Sequence, residues 1–198
     1  MGNIAFIDGQ NLYQSTKNEG WRIDPKLLMS YLKDEHRVDT ALYLLCFRVH
    51  NLGDVYAKLK EAGFAVIFRD KRAKPSTERK GNIDTDLVFH VMHNLYENDS
   101  LDKVVIVSND GDYTTLIRHL IRIGKLEKII FPTEQSASGL YDDIDSKYKA
   151  YLSSDEIKPR VSKPNTQNQM IVGQSTTIKN DCPTNAESIE SHPADNIA

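Results

Sequence analysis

Three groups of carboxylates stand where β-strands are expected to end. The first follows the apolar run Ile4 to Ile7 in NIAFIDGQN, which delivers Asp8, Gly9 and Asn11. The second lies in KGNIDTDLVFHVM, where Asp84 and Asp86 open a helix. The third closes KVVIVSNDGDYTTLI, where the run Val104 to Val107 stops at Ser108 and leads to Asp110 and Asp112. In an open α/β sheet, ligands bind outside the carboxyl ends of the strands, near the topological switch point. Carboxylates gathered there repel one another unless a cation neutralises them. A donor set made only of oxygen suits Mg²⁺ or Mn²⁺. The pattern therefore predicts a divalent-metal site for phosphate chemistry.

Each acid taken alone has a simpler explanation. Asp8-Gly9 is a common turn pair. Asn11 either caps a short helix or orients Asp8. Asp84 and Asp86 fall in a first helical turn, where the macrodipole favours carboxylates. One of Asp110 and Asp112 serves as a cap around Gly111. Capping does not explain why three separate strand ends all carry acids.

Other clusters carry less. RDKRAKPSTERKG supplies Arg69, Lys71, Arg72, Lys74, Arg79 and Lys80. It is the main basic run of an acidic chain and is expected at the carboxylate end of the sheet, where a polyanion needs its charge neutralised. The bland reading is a solvated loop; the favoured one is a loop that tracks phosphates. His90 and His93 have helical spacing, but no third ligand completes a zinc set. Asp142, Asp143 and Asp145 read as a solvated face. Glycine-rich phosphate loops are absent, and no Ser/His/Asp or Cys/His nucleophile set stands out.

The elements that must position these residues alternate between strand and helix, which predicts βαβ units and a mostly parallel sheet. Strands are expected at Asn3 to Ile7, Thr40 to Val49, Phe64 to Phe68, Val104 to Val107 and Lys128 to Phe131. One helix starts at the Asp24 cap with Pro25 in its first position. Others span about Asn51 to Ala62 and Asp84 to Tyr96, each with an apolar face. A further helix runs from Tyr113 towards Gly124, and a last one from Ser138 to Leu152. Beyond Ile157 the composition turns to Pro, Ser, Thr, Asn and Gln without apolar periodicity, so 158–198 is expected to be a disordered tail after a 1–157 domain.

At 198 residues and 39% hydrophobic content, one core is affordable. A formal net charge of −3 excludes a wholesale basic nucleic-acid binder. No apolar stretch nears the ~20 residues of a membrane span. No signal-peptide pattern is seen. Cys46 and Cys182 are isolated, so no structural disulfide is expected. These features predict a cytoplasmic protein.

Taken together, FIDGQNLY, KGNIDTDL and VSNDGDY resemble the NYN domain, a branch of the PIN-like nucleases that includes the LabA-like proteins. The resemblance runs from Met1 to Leu152. It implies a Rossmann-like three-layer α/β/α sandwich and metal-dependent hydrolysis of RNA phosphodiesters. The family's first-strand aspartate falls on Asp8 and its neighbouring asparagine on Asn11. Its lysine-glycine-x-x-aspartate element falls on Lys80, Gly81 and Asp84, with Asp86 as an additional acid, and its last acidic pair on Asp110 and Asp112. Asn109 stands where glycine is frequent, and Tyr113 where phenylalanine is frequent. On this reading Asp8, Asp84 and Asp110 hold Mg²⁺ or Mn²⁺, with Asp112 a direct or water-mediated ligand. Lys80 stabilises charge on a phosphate, and Ser108 hydrogen-bonds an acidic ligand. Cleavage would leave a 5′-phosphate and a 3′-hydroxyl. RNA is the implied partner, no membrane is, and a homo-oligomer is left open. The competing readings are a non-catalytic RNA-binding or adaptor module on the same fold, and a TOPRIM-like metal phosphotransferase or nuclease acting on DNA.

Overall fold

The computed structural model describes residues 2–46, 52–69 and 83–162. Strand β1 (Gly2–Asp8) sets the plan. Ile4 and Phe6 point to one face, Ala5 and Ile7 to the other, and all four are buried. A strand buried on both sides belongs in the middle of a parallel sheet covered by helices. It is flanked by β2 (Val38–Leu45) and β4 (Leu101–Val107), with β3 (Ala65–Phe68), β5 (Leu126–Phe131) and β6 (Lys149–Tyr151) outside them. The order is β3-β2-β1-β4-β5-β6, and all five pairings are parallel.

Helices α1 (Gly9–Asn18), α2 (Pro25–His36) and α3 (Gly53–Glu61) lie on one face, where Leu12, Leu28, Leu32 and Leu59 meet Ala5, Ile7, Val105 and Val107. Helices α4 (Ile83–Glu97) and α5 (Thr114–Arg122) lie on the other, where Leu87, Val91, Ile117 and Leu120 meet Phe6, Leu44, Ile106 and Phe131. The three-layer α/β/α architecture is thus the one expected. The chain runs outward from β1 through β2 to β3, then crosses back to β4 on the opposite side. With right-handed crossovers this reversal moves the helices to the other face. It also leaves a crevice between the carboxyl ends of β1 and β4, which are the ends that carry Asp8 and Asp110. No helix among the described residues is long and apolar enough to cross a membrane.

Several expectations need correction. Helix α1 had no sequence counterpart beyond a possible cap at Asn11; its cap is Asp8, whose carboxylate accepts from the Asn11 N–H. Strands β2, β4 and β5 begin earlier than expected, and 47–49 lie outside the described residues. The helix expected at Ser138 to Leu152 does not form. Two short 3-10 turns, Gly139–Tyr141 and Ser146–Tyr148, lead instead into β6. Ser138 and Asp145 each accept a hydrogen bond from a backbone N–H two residues on, at 3.3 and 2.9 Å. Such local side-chain bonds compete with helix, and the following residues gain more by pairing with β5.

The boundary after Ile157 also falls early. Residues Lys158–Val161 form one helical turn, α6. Val161 is fully buried, its carbonyl accepts from the Asp24 N–H at 2.9 Å, and Arg160 pairs with Glu35 at 2.6 Å. One buried residue offers no periodicity to read, which is why the sequence did not mark it. The rest of the expected tail, 163–198, lies outside the described residues. Cys46 sits just past the carboxyl end of β2, with its Sγ 3.1 Å from the Gln10 Oε1; Cys182 lies outside the described residues.

Candidate metal centre

Asp8 ends β1 and is 3% exposed. Its Oδ1 accepts from the Asn11 N–H at 3.0 Å, and its Oδ2 from the Tyr113 hydroxyl at 3.1 Å. Gly9 is required here by close approach: a Cβ would stand 2.2 Å from the Tyr43 ring and 2.9 Å from the Leu44 carbonyl. Burial pushes the Asp8 carboxyl up to about 6; the Asn11 and Tyr113 hydrogen bonds oppose this, and the charges of Asp84 and Asp110 reinforce it. A buried carboxyl that neighbouring acids hold back from ionising is one that a cation would stabilise.

Across the crevice, the turn after β4 is heavily fastened. The Ser108 Oγ accepts from the Asp110 N–H at 3.1 Å, and Asp110 Oδ1 accepts from the Asp112 N–H at 3.0 Å. The Tyr141 hydroxyl donates to the Asp110 carbonyl. The Asn11 side-chain carbonyl accepts from the Asn109 N–H at 3.1 Å, so the first motif is bonded directly to the third. The Asn109 amide donates to Ser15 at 3.1 Å and to Ser136. Gly111 is another close approach, since a Cβ there would lie 2.7 Å from the Ser138 Oγ.

Asp84 reaches the same place from the first turn of α4 and is buried. Asp84, Asp110 and Asp112 each present a carboxylate oxygen within 4.8 Å of the other two. Oxygen donors from three side chains, one buried, one half-buried and one exposed, fit a hard divalent cation that keeps several waters. Asp8 is not one of the three. It is joined to them through Tyr113, whose hydroxyl also donates to Asp84 Oδ1 at 2.8 Å. Burial first, then the charges of Asp8 and Asp84, drive the ionisation of Tyr113 well above the ordinary phenol range. It therefore stays a hydroxyl.

Other expected residues fall differently. Asp86 points away from the trio, towards Arg69, with Nε–Oδ2 3.7 Å. Arg69 follows β3 at the carboxyl end of the sheet, as expected; its Nη1 is buried with no acceptor among the described residues. Lys71, Arg72, Lys74, Arg79 and Lys80 lie outside the described residues. Ser108 bonds the backbone of Asp110 and not a carboxylate. Asn11 acts through its amide on the β4 turn. His93 stacks on Phe89 at 5.6 Å and joins no ligand group among the described residues. Asp143 and Asp145 pair with Arg118 and Lys147 at 3.1 and 3.4 Å on the surface, as expected of a solvated face.

Sequence reasoning marks Tyr113 as an apolar helix position standing where phenylalanine is frequent, and misses it as a polar participant. It also missed Asn109 and Tyr141. A groove of about 620 Å³ between α4 and α5, lined by Val88, Met92, Leu116, Arg118, His119 and Arg122, opens beside Asp112 and was equally unforeseen.

Fold and site define the class: a doubly wound α/β protein with a cluster of three carboxylates at its switch point that could hold a metal ion. The particular family follows from similarity. The NYN domain profile matches residues 4–148, and the chain belongs to the NYN domain family, as the three motifs suggested. NYN domains are PIN-like nucleases, and the three-acid cluster fits a metal-dependent nuclease. The chain is 21% identical over 174 residues to the Low amplitude and bright protein LabA of Synechococcus elongatus, covering 80% of this chain and 92% of LabA. A crystal structure of a protein of unknown function from Vibrio parahaemolyticus shares the fold with a TM-score of 0.65 and 20% identity, covering 78% of this chain and 94% of that one.

Proposed function

We propose that this protein is a metal-dependent ribonuclease that hydrolyses RNA phosphodiester bonds. The observation that carries the reading is the convergence of Asp84, Asp110 and Asp112 within 4.8 Å, in a chain of a nuclease family. These three would hold Mg²⁺ or Mn²⁺, with Asp8 behind them. When bound, such an ion supplies a water of lowered pKa and stabilises charge on phosphoryl oxygens. The protein's part is positional. Asp110 is fixed by its turn, Asp84 by the start of α4, and Asp8 by the Asn11 N–H. Asp112 is the exposed member of the three and so the one most accessible to an incoming phosphate. Asn11 keeps the β1 and β4 ends in register through Asn109.

Substrate contact is assigned to the basic run. Arg69, Lys71, Arg72, Lys74 and Arg79 would track the backbone, and Lys80 would meet the phosphate next to the cleaved bond. Asp86 would set the reach of Arg69 and is not itself proposed as a ligand. The test is incubation of end-labelled RNA and DNA of one sequence with the protein and Mn²⁺, followed by analysis of product ends. The reading expects RNA cleaved to 5′-phosphate and 3′-hydroxyl ends. Binding without cleavage would support the adaptor reading, and preferential DNA cleavage the DNA-directed one.

A further inference from the structure

We propose that Tyr113 is a positioning residue of the metal centre: its buried hydroxyl ties Asp8 to Asp84 and sets which Asp84 oxygen faces a divalent cation. The proposal rests on the metal-dependent reading above. The Tyr113 side chain is fully buried in the core under α4 and α5, so its hydroxyl cannot swing away. It stands 3.1 Å from Asp8 Oδ2 and 2.8 Å from Asp84 Oδ1. A phenol has one hydrogen to donate, and here that hydrogen lies between two carboxylates from different elements, β1 and α4. The positive end of the O–H dipole offsets their repulsion.

The consequence is rotational. The terminal torsion of aspartate is broad and roughly two-fold, so a carboxylate is a precise ligand only if something holds it. Asp8 is held at both oxygens, by Asn11 and by Tyr113. Its caged orientation suits a partner that sits behind the cation and orients Asp84 through the shared hydroxyl. Asp84 gives Oδ1 to Tyr113 while belonging to the trio. A role in packing alone would need only the ring.

Tyr113→Phe keeps the ring and deletes the hydroxyl. Mn²⁺ binding to the full chain, followed by titration calorimetry and by the electron paramagnetic resonance signal of free Mn²⁺, should weaken ~10–100-fold, the usual effect of removing a partner of a metal ligand. Equal Mn²⁺ affinity in parent and Tyr113→Phe would overturn the proposal while leaving the metal-dependent reading standing. A parent that binds no Mn²⁺ would overturn both. A second variant does not depend on the folding of the first: 3-fluorotyrosine incorporated at Tyr113 retains the hydroxyl and places a fluorine beside it. Its fluorine resonance should shift on adding Mg²⁺, over the range in which Mg²⁺ binds. A resonance unmoved at saturating Mg²⁺ would equally overturn the proposal.

Discussion

Asp8→Asn should stabilise the metal-free protein, and only above about pH 4, where the Asp8 carboxyl of the unfolded chain is ionised. Burial raises the Asp8 carboxyl in the folded state from 3.8 to about 6. A shift of about two units corresponds to ~3 kcal/mol of differential interaction between its two protonation states. Because Asp8 is 3% exposed, solvent screening takes little from that figure. The sign follows from linkage: with a raised folded value, the folded state binds more protons than the unfolded state, so stability is lost as pH rises from about 4 to about 6. Above that window the charged carboxylate carries the whole penalty. Asparagine removes the charge, keeps an acceptor for the Asn11 N–H, and caps helices about as well as aspartate. In chelator at pH 7.5 the variant should gain up to ~3 kcal/mol, or about 6–12 °C in melting temperature for a domain of this size. At pH 5 the gain should be about half, and below pH 4 it should vanish. Thermal and urea melts of both proteins in EDTA, at pH 5.0 and 7.5, measure this. A variant less stable than the parent at pH 7.5, or shifted equally at both pH values, would refute the reasoning.

Asp110→Asn should abolish cleavage while leaving the metal-free melting temperature at or slightly above the parent's, since the amide still caps the turn. It should also shrink the stabilisation gained on adding Mn²⁺, which arises by mass action on the folded state. Neutralising Lys71, Arg72 and Lys74 should weaken RNA binding and flatten its salt dependence, read from binding isotherms across a salt series. Ending the chain after Ser162 should leave the melting curve nearly unchanged. Ending it after Ile157 should cost about 2–3 kcal/mol, because it removes the buried Val161.

The layered plan was legible because five runs of apolar residues alternate with helical periodicity, and both signals come directly from burial. The convergence of Asp84, Asp110 and Asp112 was legible for a different reason: capping accounts for single acids but not for acids at several strand ends together. What escaped was fixed by contacts distant in sequence. Nothing near Asp8 marks Tyr113 as its partner, 105 residues away. Asn109 looks like a loop polar residue until Asn11 is seen to accept from its N–H across 98 residues. Asp86 and Asp84 are two apart on one helix and so point in different directions, one to Arg69 and one to the trio; sequence spacing alone could not say which would face the crevice. Short elements failed for want of length. α6 has one buried side chain, and β6 three half-buried residues, too few to form a pattern.

The central claim is that Asp84, Asp110 and Asp112 form a metal site used for phosphodiester cleavage. Its most direct test is the cleavage of labelled RNA by the parent chain and by Asp110→Asn, first in EDTA and then with Mn²⁺ restored in excess. Neither protein should cleave in EDTA; with Mn²⁺ restored the parent should recover cleavage and the variant should not. Cleavage that persists in EDTA, or an Asp110→Asn protein that cuts as fast as the parent once Mn²⁺ is restored, would contradict it.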